Sequence, residues 1–120
     1  MTDRLNFSYN WNNKLNCNVF STIRRYNPSV HYVGKEVEVF ENSTKPGINR
    51  GRAKYLIVTP FKLHQLKPAM AYLDTGYSLD ETKIILRTMY KGKVPDIEQE
   101  TFCYCILEKI KEKPQQQKMF

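Results

Sequence analysis

Apolar and polar residues alternate along this chain in short runs, and the period changes once. From Arg4 to Asn10 the alternation places Leu5, Phe7 and Tyr9 on one face of a predicted strand. The Asn-rich stretch Trp11-Asn-Asn-Lys14 predicts a turn or a single helical turn. Phe20–Arg25 predicts a second strand, and residues 26–35, with Asn27-Pro28 and Gly34, a loop that returns to the sheet. Glu36-Val-Glu-Val-Phe40 is a half-buried strand by its pattern, with Val37 and Val39 inward and Glu36 and Glu38 outward. Residues 42–51 hold Ser, Thr, Pro, Gly and Asn and predict a flexible hairpin loop. Arg52–Thr59 predicts a strand whose end, Leu56-Ile-Val58, is buried and which Pro60 closes.

The period then moves from two to about 3.6. Leu63, Leu66, Met70 and Leu73 fall on one helical face, with Pro68 in a first turn, and Asp74-Thr-Gly76 ends that helix. Ser78-Leu-Asp-Glu81 is a capping box, in which a hydroxyl and a carboxylate each accept a free amide hydrogen at the start of a helix. That second helix is predicted to run to about Tyr90 and to bury Leu79, Ile85, Leu86 and Met89. Thr101–Leu107 is apolar on both faces, as a central strand requires. The order β, β, β, β, α, α, β predicts an α+β domain: a small curled sheet or barrel with two helices inserted before the last strand. Residues 1–112 are expected to form one domain and 113–120, Lys-Pro-Gln-Gln-Gln-Lys-Met-Phe, a loose tail.

Composition narrows the class. A chain of 120 residues with 41% hydrophobic and 26% charged residues can bury a core without disulfide or metal staples. No apolar run is long enough for a transmembrane helix, so no membrane partner is expected. No apolar leader follows the first residues, and three cysteines, Cys17, Cys103 and Cys105, suit reduced thiols; a cytoplasmic location is the expectation. The net charge of +7 lies entirely in residues 1–73, and no acid occurs between Glu41 and Asp74. A one-signed surface attracts anions, which makes RNA, a nucleotide or an acidic protein the candidate partner.

Chemical motifs exclude more than they offer. Neither a Walker loop nor a GxGxxG run is present, so nucleotide hydrolysis of the P-loop kind is not expected. No CxxC or HxxxH spacing occurs, so no metal or other cofactor is expected, and Cys103 and Cys105 read as packed thiols. Nothing in the sequence brings His31 or His64 to a nucleophile. The strand Phe20–Arg25 is more informative. Thr22 and Arg24 share a face, and a hydroxyl beside a planar fork of donors can hold a phosphate or a base edge. Arg25 and Tyr26 extend that surface, and the loop carrying Lys45, Arg50, Arg52 and Lys54 is a candidate electrostatic arm, with Lys35 a further phosphate contact.

The runs Ser-Thr-Ile-Arg24, Val33-Gly-Lys-Glu-Val-Glu-Val39, Gly51-Arg-Ala-Lys-Tyr-Leu-Ile-Val58 and Phe61-Lys-Leu-His-Gln-Leu66, followed by a helix ending Met89-Tyr90, resemble the ASCH family of PUA-like domains over roughly residues 14–110. The small acetylcytidine amidohydrolases are its nearest branch. The resemblance implies a small β-barrel with helices beside it and a cleft that binds RNA or a modified nucleoside. It places the family's threonine on Thr22 and its arginine on Arg24, but its catalytic lysine on Val19 and its glycine on Cys17. An apolar side chain cannot activate a nucleophile, so binding rather than catalysis is expected. An amidohydrolase acting on N-acylated cytidine is the alternative; it needs a lysine relocated in space, Lys14 or Lys35, and Asp74 as the carboxylate. A third reading is a protein-interaction accessory domain of a mobile element, with the tail ending Met119-Phe120 as its docking peptide.

Overall fold

The computed structural model describes residues 3–111; the tail expected over 113–120 lies outside them. Five strands, β1 (Arg4–Phe7), β2 (Val19–Arg25), β3 (Glu36–Glu41), β4 (Ile48–Lys62) and β5 (Thr101–Lys109), form one sheet in the order β1-β3-β4-β5-β2. The sheet curls into a half-barrel. β1 runs parallel to β3; the other pairings are antiparallel. Two helices, α1 (Pro68–Thr75) and α2 (Leu79–Tyr90), lie between β4 and β5 in sequence. The element order is the one the hydrophobic pattern predicts. No helix among the described residues is long and apolar enough to cross a membrane.

Each face of the sheet has its own core. In the register of β2 with β5, Phe20 faces Leu107, Thr22 faces Cys105 and Arg24 faces Cys103. This face closes on Leu5, Phe7, Leu15, Val37, Val39, Ala53 and Tyr55. The opposite face carries Ile23, Phe61, Phe102 and Tyr104, and Leu66 before α1, Ala71 of α1 and Leu86 of α2 cover it. Because β1 and β2 are the two edges of the curl, a seam lies between them, and Arg24 Nη2 crosses it to donate 2.7 Å to the carbonyl of Asn6.

Five expectations about individual elements need correction. β1 ends at Phe7, and Tyr9 stands in the following bend, 56% exposed. In β4 a register shift between Tyr55 and Ile57 breaks the alternation, so Leu56 and Ile57 are exposed while Ala53, Tyr55 and Phe61 are buried. Pro60 does not end β4. Beyond Tyr55 no described strand pairs with the other edge of β4, so its missing N–H costs no ladder bond. The helical face drawn through Leu73 is also not the buried one. The 3-10 turn Leu63–Gln65 breaks the helix, and α1 turns Ala71, Asp74 and Thr75 inward, leaving Leu73 exposed. The α2 capping box forms as expected, with Ser78 Oγ accepting from the Glu81 amide at 3.2 Å, but its buried residues are Thr82 and Leu86, and Met89 is exposed.

Candidate functional site

A cleft opens along the seam between β1 and β2 and is roofed by the ends of both helices. Arg24 and Thr22 reach it from β2, Asn6 and Phe7 from β1, Asp74 from α1, and Met89 and Tyr90 from α2. The 3-10 segment Trp11–Asn16 supplies Lys14 and Trp11. Its asparagines explain its path. Asn12 and Asn13 adopt left-handed backbone angles (φ 57° and 53°), which short polar side chains tolerate, and the chain then turns Lys14 and Leu15 inward. On the other side, Gly76 ends α1 at φ 80°, the left-handed cap that leaves Asp74 in the helix's last turn.

Two charged groups are held in the cleft by different means. Lys14 Nζ donates to Asp74 Oδ1 at 2.7 Å, and Ser21 Oγ donates to the same oxygen at 2.8 Å. Both members of the pair are buried, and burial depresses the Lys14 pKa, against the pull of Asp74 and with a further push from Arg24. Arg24 is different. Its Nε donates to Thr22 Oγ1 at 2.9 Å, Nη2 donates to Asn6, and the guanidinium lies 4.6 Å over the Phe7 ring. It makes no ion pair among the described residues. Burial lowers its pKa, as expected for a cation withdrawn from water without a carboxylate beside it. Lys14, Arg24 and Asp74 together leave the cleft one positive charge in excess.

The cleft is partly open to solvent and its free volume is about 80 Å³. A benzene ring occupies a cavity of about 150 Å³, so a ring enters the hollow only in part. Below it Cys103 and Cys105 are fully buried and 3.5 Å apart at sulfur. The hydrogen bond from Cys105 to Cys103 and burial raise the Cys105 pKa, and the same bond lowers that of Cys103. No group of three or more His, Cys, Asp or Glu among the described residues is placed to hold a metal ion.

The residues singled out from sequence do not assemble into one surface. Thr22 and Arg24 meet in the cleft. Arg25 points to the other face and pairs with Glu100 at 3.1 Å. Tyr26 packs against the core beside His31. Lys35 pairs with Asp3 at 2.6 Å, Arg50 with Glu41, and Arg52 with Glu36. Lys54 stands in the middle of β4, opposite Glu36 and Glu108 and close to Lys109 and Lys111. None of these six lines the cleft. The enzyme alternative named Lys14 or Lys35, with Asp74; the structure brings Lys14 and Asp74, sixty residues apart, to Thr22 and leaves Lys35 outside the cleft. Trp11, Tyr9 and Tyr90 were not singled out as site residues. An Asn-rich turn carrying an aromatic, set beside a basic strand, is the signal that marks the first two. Compared with models of known families, with curated proteins and with solved structures, the chain matches none.

Proposed function

We propose that the protein binds a nucleobase, of RNA or of a free modified nucleoside, with its polar edge in the seam cleft. The observation that carries this reading is Arg24. Its guanidinium is held against Thr22 and Asn6 without a carboxylate, so it retains donors and charge for a guest. Lys14 and Asp74 add a donor and an acceptor, and Tyr90 and Trp11 are at hand for the ring. The likeness of Ser-Thr-Ile-Arg24 and the following runs to ASCH domains of the PUA-like class points the same way, as does the half-barrel with two helices before the last strand. The test is calorimetric titration with cytidine, N4-acetylcytidine and a short RNA. Binding tighter than about 1 mM that Arg24→Lys and Thr22→Val both weaken by ten-fold or more supports the reading. No heat with any of the three overturns it.

One observation favours a second reading. Lys14, Thr22 and Asp74 line one cleft, which supplies a lysine in place of the one that Val19 replaces and a carboxylate beside it. In an amidohydrolase the Thr22 hydroxyl would attack the acyl carbon, the amine of cytidine would leave with a proton, and water would release the acid. Incubation of N4-acetylcytidine with the protein, followed by chromatography for cytidine, decides it. Product that disappears in Thr22→Val establishes hydrolysis; none at high protein concentration removes it.

A further inference from the structure

Three aromatic side chains stand together at the mouth of the cleft. Tyr9 and Trp11 lie 4.9 Å apart between ring centres at 74°, and Trp11 and Tyr77 6.1 Å apart at 75°. Tyr9 and Tyr77 are 56% and 45% exposed. None of the three belongs to either core. They come from separate parts of the chain: Tyr9 and Trp11 from the segment after β1, Tyr77 from just beyond the Gly76 cap of α1. Tyr9 and Trp11 also line the cleft, so the strip is continuous with it. Asn10, Asn12 and Asn13 sit among the rings; Asn10 Oδ1 accepts the Leu15 amide and Asn12 Nδ2 donates to the Tyr72 carbonyl, which ties the segment down. From Arg4 to Lys35 the chain has no acidic residue.

We infer that this rim is a second subsite, on which the base next to the one in the cleft stacks, so that the ligand is a single-stranded oligonucleotide rather than a lone nucleoside. The inference rests on the nucleobase reading above and extends it. The hollow is partly open and takes only part of a ring, so whatever is attached to a bound base lies outside it, and Tyr9 and Trp11 are among the residues that line the opening. Exposed aromatic faces that a fold does not bury are what unpaired bases stack on, and stacking tolerates any base because each has a π-face. The excess positive charge of the cleft and the absence of acids in the segment that forms this wall suit a phosphate backbone.

Trp11 is the only tryptophan of the chain, so its fluorescence reports the rim directly. The experiment is a fluorescence titration of the full chain with cytidine and with hexacytidylate. Hexacytidylate is expected to quench Trp11 and to bind at least about ten-fold more tightly than cytidine. Tyr77→Ala is expected to weaken hexacytidylate by about ten-fold, and Tyr77→Phe, which keeps the ring, to restore it. Equal affinity for cytidine and hexacytidylate, or binding that leaves Trp11 and the Tyr77 variants unmoved, overturns the rim while leaving the cleft reading in place. Binding of neither overturns this inference, and the cleft reading falls with it when N4-acetylcytidine gives no signal either. A Trp11 signal that changes with protein concentration alone makes the rim a contact between copies of the chain and likewise overturns the inference.

Discussion

Replacing Lys14 with methionine removes one half of a charge pair that the fold keeps from water. The wild-type pair is 2.7 Å long, both residues are buried, and among the described residues the only other donor to Asp74 Oδ1 is Ser21. Without Lys14 a buried carboxylate keeps one neutral hydrogen bond, and such losses cost about 3–5 kcal/mol. For 120 residues the unfolding entropy is about 0.25 kcal/mol/K, so each kcal/mol moves Tm by about 4 °C and Lys14→Met should lower it by about 12–20 °C. The depressed pKa of Lys14 says that burial costs the ammonium more than Asp74 returns. Removing both partners, as in Lys14→Met with Asp74→Leu, should therefore restore stability to within about 1 kcal/mol of wild type or exceed it. The pH dependence follows with the same sign. A lysine whose native pKa lies below 10.5 binds fewer protons folded than unfolded between those two values, so wild-type stability climbs as pH rises through that window. The double variant should lack that climb. Urea unfolding of the four proteins of the cycle, at neutral and alkaline pH, measures all of this. A single variant that loses less than about 1 kcal/mol, or a double variant as unstable as the single, would refute the reasoning.

Three further expectations concern the frame around the cleft. His31 is 8% exposed, accepts the Asn27 amide at Nδ1 (3.1 Å) and has a pKa lowered by burial and by Arg24 and Lys35; urea midpoints should therefore fall as pH drops from about 7.5 to 5, below the ordinary histidine value. His31→Phe should not show that fall, and an unchanged slope in the variant would contradict it. Gly76→Ala places a Cβ at a φ of 80° and 3.0 Å from Asn12 Oδ1, so a loss of about 1–2 kcal/mol is expected in thermal melts. Ser78→Ala removes the hydroxyl that accepts the Glu81 amide and should cost about 1 kcal/mol, or about 4 °C.

What could be read from sequence was local. The alternation of Val37 and Val39, the capping box at Ser78 and the shared face of Thr22 and Arg24 each depend on neighbours within a few residues, and each appears in the fold. The exposure of Leu56 and Ile57 was not legible, because one extra residue in β4 shifts the alternation without leaving a mark in composition. Leu73 misled for a related reason: a 3-10 turn resets the helical phase, and the buried face of α1 is the polar one that carries Asp74 and Thr75. The basic hairpin read as an arm because charge counts do not show partners; Glu36 and Glu41 of β3 pair with Arg52 and Arg50 of β4. The site itself was half legible. Thr22 and Arg24 are two residues apart, whereas Lys14 and Asp74 meet only because the 3-10 segment and the last turn of α1 converge on the seam of the sheet.

The cleft is tested most directly by an NMR titration of the 15N-labelled protein with cytidine, following backbone amides and the Arg24 Nε–H that Thr22 holds in place. Saturable shifts at Thr22, Arg24, Asp74 and Tyr90 are predicted, with the β3–β4 hairpin from Ile48 to Lys54 unmoved. Shifts confined to that hairpin, or none with cytidine and none when N4-acetylcytidine or a short RNA takes its place, would contradict the account.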